Sequence, residues 1–292
     1  MNKVKIEFEN EDEFNLCKKN LIKILDNQSF YKKYKITWQS ILDFSNYKIN
    51  ISLVEKCMYI YFNHYYISGA NMFALLNQMF DNNKIDYLNT NSAFGIIKIP
   101  NYIKNICSLK KKNYTKDIFR GTIYNKKQNI LIENKRYYTY WYLLNQIYQE
   151  LDLERDLIAG ITVGFNDIDY LNNNVGAIII NFSKDDTVSD IERKMKNNIY
   201  QAYTSNFITH LPINNSKLGV RNYVDCIISS SYIKTDKKIK IGWNIPIDPI
   251  EEVYIGSVSV IKTDGSFDLN TCISTKSKRF KYKFDYEYDF FD

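Results

Sequence analysis

The chain has 292 residues, 45% of them hydrophobic, 15% aromatic and 25% charged, with 39 basic against 33 acidic side chains and a formal net charge of +6. That apolar content and small net charge exclude a disordered chain, and 10 Gly and 5 Cys exclude collagen-like and disulfide-scaffold classes. For a mass of 34.6 kDa, area scaling gives about 13,000 Å² folded against roughly 50,000 Å² unfolded, enough burial for one large domain or two small ones.

The first strand is expected at Lys3 to Phe8, from its alternation. Glu11, Asp12 and Glu13 open a helix whose apolar face is Phe14, Cys17, Leu21, Ile22 and Leu25. Strands follow at 48–53 and 57–62, then a helix from Ala70 to Phe80 with Met72, Phe73, Leu76, Met79 and Phe80 as its buried stripe. The polar, basic stretch 108–116 reads as a crossover between two halves. A hairpin is expected next, from 119–124 and 129–132, and then a helix over 136–152 carrying Tyr140, Leu143, Leu144, Ile147 and Leu151 on one side. The second half continues with strands at 158–165 and 175–182. Its helix spans 187–203, with Asp185 or Asp186 near the start and Val188, Ile191, Met195, Ile199 and Ala202 on one face. Strands resume at 223–229, 253–262 and 267–273, the last two joined by a turn at Asp264-Gly265. Helices alternating with long strands twice over predict a mixed α/β (α+β) fold with two similar halves, divided as 1–115 and 116–292.

Apolar runs such as 175–180 stop far short of the roughly 20 residues that a spanning helix needs, so no membrane span is expected. The N-terminus has no apolar stretch of the kind a secretory signal carries. Cys17, Cys57, Cys107, Cys226 and Cys272 are odd in number and never form a C-x-x-C pair. Reduced thiols and a cytoplasmic location are the expectation. Neither His64 nor His210 lies near a cysteine pair, so no zinc site is expected, and no P-loop or G-x-G-x-x-G segment suggests a tightly bound cofactor.

Histidine is the natural general base near neutral pH, and there are two. His210 precedes Leu211-Pro212 and reads as a helix exit. His64 directly follows the apolar strand ending at Phe62 and precedes a helix that Ser68 is placed to cap and Gly69 to admit closely. A histidine satisfied by backbone at a strand end would have the same sequence signature as a catalytic one on a loop fixed by its scaffold.

Asn63-His64-Tyr65-Tyr66-Ile67-Ser68-Gly69 resembles the H-H-x-x-x-D-G signature of an acyltransferase superfamily. Its members include chloramphenicol acetyltransferases, condensation domains of nonribosomal peptide synthetases and plant alcohol acyltransferases. Ile228-Ser229-Ser230-Ser231-Tyr232 is similar to that family's serine-rich strand, and Gly242-Trp243, followed by Pro246, to its D-F-G-W-G motif. The segments 163–166, 175–176 and 263–267 resemble its second-half core and final hairpin. The resemblance implies two chloramphenicol-acetyltransferase-like lobes with an active-site tunnel between them, the first lobe carrying the H-x-x-x-S-G segment. It implies His64 as general base, a hydroxyl of Ser229, Ser230 or Ser231 at the oxyanion, and Asn63, Ser68, Gly69, Gly242 and Trp243 as residues that shape the loops. The implied donor is an acyl thioester, on coenzyme A or a carrier protein, and the acceptor a hydroxyl, amine or thiol.

Asn63 stands where the signature has its first histidine, and Ser68 and Lys240 stand where the two motifs have aspartates. Serine caps a helix but forms no ion pair with arginine. The chain is also shorter than most two-lobed members. A catalytically silent relative with a structural or protein-interaction role is the alternative, and Tyr65 and Tyr66 would be the aromatics to close its tunnel. Lysines gather at 110–112, at Lys234, Lys237, Lys238 and Lys240, and at 276–283. They suit a solvated face, or the phosphates of coenzyme A. Acidic Asp285, Glu287, Asp289 and Asp292 directly after the last cluster disfavour nucleic acid.

Overall fold

The computed structural model describes residues 2–27, 35–36, 49–62, 69–81, 119–124, 135–164, 175–204, 224–244 and 253–275. Strand β1 (Asn2–Phe8) buries Val4, Ile6 and Phe8 on one side. Asn10 then caps helix α1 (Glu11–Asn27), its side-chain oxygen accepting the Asp12 backbone N–H at 2.7 Å. Phe14, Cys17, Leu21 and Ile24 form the buried stripe of α1. Ile24 replaces Ile22 in it because Ile22 lies about 105° around the helix from the centre of Phe14, Cys17 and Leu21. Strands β2 (Lys35–Ile36), β3 (Ile49–Val54) and β4 (Cys57–Phe62) follow, and then helix α2 (Gly69–Phe80). All five expected residues of the α2 stripe are buried, and Leu75 joins them.

The second half contributes β5 (Phe119–Tyr124), α3 (Lys135–Leu151), β6 (Leu157–Gly164), β7 (Val175–Phe182), α4 (Val188–Thr204), β8 (Cys226–Lys234), β9 (Ile239–Asn244), β10 (Val253–Ile261) and β11 (Phe267–Thr275). The α3 stripe is buried as its spacing predicts. Thr187, rather than either preceding aspartate, caps α4: its hydroxyl accepts the Asp190 N–H at 3.3 Å and the Asp190 carboxylate accepts the Thr187 N–H at 3.0 Å. Asp186 instead accepts the Ser183 N–H and the Lys194 ammonium. β8 starts later and ends later than expected, so all of Ser229–Ser231 lies inside a strand. Between β10 and β11 the Lys262 N–H reaches the Ser266 carbonyl, leaving Thr263-Asp264-Gly265 as the loop with Gly265 at φ 90°. Asp264-Gly265 is therefore part of a longer glycine-ended loop, not a two-residue turn. The expected crossover at 108–116 and the strand at 129–132 lie outside the described residues.

Two sheets result. The first has the order β2-β3-β4-β1-β9, antiparallel except for β2 with β3. The second, β5-β11-β10-β8-β6-β7, is mixed: β8 runs parallel to both β10 and β6, and the remaining pairs are antiparallel. The fold is thus mixed α/β, as the pattern predicts. β10 is buried on both faces, which explains its unbroken run of small and apolar residues. Its Tyr254, Val258 and Val260 meet a core shared with α1, α2 and the first sheet, while Val253 and Ile255 meet a second core under α3 and α4.

β9 joins the sheets. The chain leaves β8, where the Thr235 N–H donates to Ile261 O, and Asp236 accepts both the Thr263 N–H and its hydroxyl. It then enters the first sheet beside β1, with the Glu9 N–H on Lys238 O. At the start of β6, buried Asp225 accepts two N–H groups of Arg155 at 2.8 Å and the Ile158 N–H at 2.9 Å. That bidentate pair ties the entry of β8 to the entry of β6.

Candidate functional site

β4 delivers the chain to Phe62, which is fully buried, and α2 receives it at Gly69. Asn63, His64 and Ser68 lie on the connection between them, outside the described residues; His210 is also outside. The elements on either side of it are described. A Cβ on Gly69 would stand 2.6 Å from Cη2 and 2.9 Å from Cζ2 of Trp243, so the first residue of α2 must be glycine for the indole to lie against it. Trp243 is 2% exposed and meets Phe73 of α2 edge to face, with centroids 5.1 Å apart. Gly242 is buried in β9 opposite Lys5 of β1. The structure therefore brings together Gly69 and Trp243, residues 174 positions apart that sequence motifs alone singled out.

The three serines do not act as one group. Register puts Ser229 opposite Gly256 and Ser231 opposite Val258, on the face that looks toward α2 and the first sheet. Ser230 stands opposite Ser257 on the face covered by the α3 and α4 core. Strand alternation thus gives Ser229 and Ser231 one neighbourhood and Ser230 another.

Beyond Ile228, β8 has no described pairing with β6, and the Asn77 side chain of α2 meets this edge. Its Nδ2 donates to Tyr232 O at 3.0 Å and its Oδ1 accepts the Lys234 N–H at 2.8 Å, while Nδ2 also donates to Phe73 O. A side-chain amide here takes the place of a neighbouring strand and sets α2 against the serine-bearing strand. Nothing in the sequence signals this, because an Asn in a largely apolar helix reads as part of its solvent face.

A second residue the sequence hides is Asn270. It reads as the outward position of an alternating hairpin, yet it is 3% exposed, and among the described residues neither its Oδ1 nor its Nδ2 has a partner. It lies opposite Val258 on the same face as Ser231. The buried Trp243 Nε1 likewise has no acceptor among the described residues. On the other face of the sheet, Ser257 Oγ and Thr271 Oγ1 are buried without partners among the described residues, while Ser259 and Thr139 pair at 3.2 Å.

The outer face of the first sheet is polar and already paired. Lys3 and Lys5 lie over the rings of Tyr59 and Tyr61, and Lys5 is 3.5 Å from Glu7. Burial pushes the Tyr59 and Tyr61 hydroxyls above their ordinary pKa, with Lys5 opposing it at Tyr59. Of the lysine groups, the described one spans the step from β8 to β9; there Lys234 lies over Tyr232 and Lys238 is 3.9 Å from Glu9. Among the described residues, no group of three or more His, Cys, Asp and Glu side chains could hold a metal, and no helix is long and apolar enough to cross a membrane.

No protein-family model and no curated protein sequence matches the chain. Solved structures do. The starter condensation domain of rhizomide synthetase, as a double mutant in a product-released conformation, superposes with a TM-score of 0.54 at 9% identity, covering 94% of this chain and 83% of that one. A single mutant of that domain in complex with C8-CoA gives 0.54 at 10% identity, again over 94% and 83%. The double mutant with C8-CoA and Leu-SNAC gives 0.53 at 10%, over 94% and 82%. The fold of this chain is that of a condensation domain.

Proposed function

We propose that the chain is an acyltransferase of the condensation and chloramphenicol-acetyltransferase type, taking an acyl group from a thioester on coenzyme A or a carrier protein. The observation that carries the reading is the seating of Trp243 on Gly69. In a condensation-domain fold, it joins the segment that follows His64 to the motif that returns from the second half. On this reading two lobes enclose a tunnel and His64 is the general base. The imidazole takes the proton from an acceptor hydroxyl, amine or thiol as that atom attacks the thioester carbonyl. The new bond forms, and the carbonyl electrons move to oxygen, where a hydroxyl of Ser229 or Ser231 stabilises them. Collapse breaks the C–S bond, and the leaving thiolate takes the proton back from the imidazolium. No step consumes a metal or a redox cofactor.

The test is thermal stability with acyl-CoAs of graded length, including the C8 chain bound by the structural relatives, beside ATP and a short oligonucleotide. A ligand at 100 times its dissociation constant adds about 2.7 kcal/mol of stability. Stabilisation by acyl-CoA beyond that by ATP supports the reading. His64→Ala should then keep the shift and lose about 10²–10⁴-fold in turnover. Equal shifts from every polyanion would reduce the finding to a basic surface. No shift with any acyl-CoA or acyl-carrier protein would favour a scaffold that kept the fold without the reaction.

A further inference from the structure

Helix α2 meets strands from the second half of the chain along one row of its own residues. Gly69, Phe73 and Asn77 follow one another at four-residue spacing, which stacks them on one side of a helix. Trp243 lies against Gly69 and meets Phe73 edge to face. Asn77 meets β8 through its bonds to Tyr232 O and the Lys234 N–H. The bond from Nδ2 to Phe73 O, at 3.0 Å, fixes the plane of the amide on its own helix. The link between helix and strand is therefore a short side chain held by three hydrogen bonds. On β8 that link falls next to the serines. β10 pairs with β8 from Cys226 to Lys234, whereas the described pairing with β6 stops at Ile228. Ser229 and Ser231 thus lie on the span between the last residue paired with β6 and the first one held by Asn77.

We infer that Asn77 is a positioning residue for acyl transfer, setting the spacing between α2, which begins five residues after His64, and the hydroxyls of Ser229 and Ser231. It touches no substrate and acts through the two elements it joins. Trp243 pins the start of α2 at Gly69. Asn77, eight residues and about 12 Å further along the helix, sets the angle that α2 makes with β8. A misplacement of about 1 Å between reacting groups costs up to about 100-fold in rate, so this spacing governs turnover more than substrate binding. The assignment rests on the acyl-transfer reading above and adds to it the group that holds the two contributing parts of the chain in register.

The experiment follows CoA release from octanoyl-CoA by the full chain, below the melting temperature of every variant. Leucine methyl ester, hexanol and N-acetylcysteamine serve as amine, alcohol and thiol acceptors. Asn77→Ala removes the link; Asn77→Gln keeps an amide but carries it out by one methylene. Both should lose about tenfold or more in kcat, with KM for octanoyl-CoA within about twofold and the pH profile of the parent. Hydrogen exchange at the Lys234 N–H reads the bond itself and should speed up in Asn77→Ala. Asn198→Ala is the control. Asn198 of α4 makes the same kind of bond, to Ile179 O of β7 at 2.7 Å, with β6 between that strand and β8. This control should lose stability and keep its turnover. Parent-like kcat in the folded Asn77 variants, a loss confined to KM, or an equal loss in Asn198→Ala overturns the positioning role and leaves acyl transfer standing. No CoA release by the parent with any of the three acceptors overturns acyl transfer and this assignment together. If Asn77→Ala fails to fold, Asn77→Gln carries the comparison.

Discussion

A methyl group on Gly69 would sit 2.6 Å from the ring of Trp243, closer than carbon atoms pack, and the indole is held in turn by Phe73. Because Trp243 is 2% exposed, its ring cannot swing into solvent. Gly69→Ala should therefore cost about 1–3 kcal/mol, as overpacking does, and lower the melting temperature by several degrees. Trp243→Phe shortens the side chain at the point of conflict, so the double variant should recover part of that loss. A double-mutant cycle by chemical denaturation reads the coupling, and simple additivity would show that the two residues do not meet as described. The same residue pair illustrates what a motif can say: the sequence marks both positions, but only the fold shows that each requires the other.

At the scale of elements, helix α2 is bound to the second sheet through the Asn77 amide, with hydrogen bonds to Tyr232 O and the Lys234 N–H. Asn77→Ala leaves those backbone groups on the β8 edge without this partner and should destabilise the protein by about 2 kcal/mol. Asn77→Asp keeps the acceptor for the Lys234 N–H but turns a negative carboxylate toward Tyr232 O in place of the donor. It should be no better than alanine, measured by urea midpoint. An aspartate variant as stable as the parent would show that the Tyr232 bond contributes nothing. The helix caps show a related point about local sequence. Thr187 and Asp190 bond each other's backbone N–H, and the hydroxyl and N–H of Thr187 hold the Asp190 carboxyl below its usual range. The stability from that carboxylate is present above the ordinary carboxylate pKa and is lost as pH falls through the lowered value.

For the whole molecule, the second sheet lies between the two cores, with β10 facing both, and β9 adds a strand from the second half to the first sheet. Cys17 lies in the core of the first sheet and Cys226 in the core under α3 and α4, both fully buried. Pulse labelling of thiols along a denaturant series, read peptide by peptide in a mass spectrometer, should show both cysteines becoming reactive at one midpoint. Two midpoints would show sheets that unfold independently despite β9. Burial pushes the Cys17 thiol up to about 12 from 9.0, so in the folded protein it stays protonated and inert at the labelling pH. The sign for stability follows. The protonated thiol favours the native state fully below pH 9.0, and that contribution is lost as pH climbs from there toward about 12.

Periodicity alone located most of the described helices and strands, because a helix stripe such as Leu143, Leu144 and Ile147 or an alternating strand such as β1 records which side faces a core. It could not say which core, or which sheet a strand joins. The sequence places β9 just after β8, yet β9 pairs with β1, because hydrogen bonding between strands is set by the three-dimensional neighbour and not by chain order. The residues of the candidate site divide the same way. Gly69, Trp243 and the serines were legible as motifs, whereas His64, Asn63 and Ser68 lie on the connection outside the described residues. Strand alternation separated Ser230 from Ser229 and Ser231 only once β8 was seen to run through all three. Asn77 and Asn270 were illegible for one physical reason: an isolated amide in an apolar pattern looks solvent-facing until tertiary packing closes over it. Sequence determined where most of the described helices and strands form and which side of each is apolar, though not β2 or β9; tertiary structure alone decided which polar groups would be paired and which would be buried and left open.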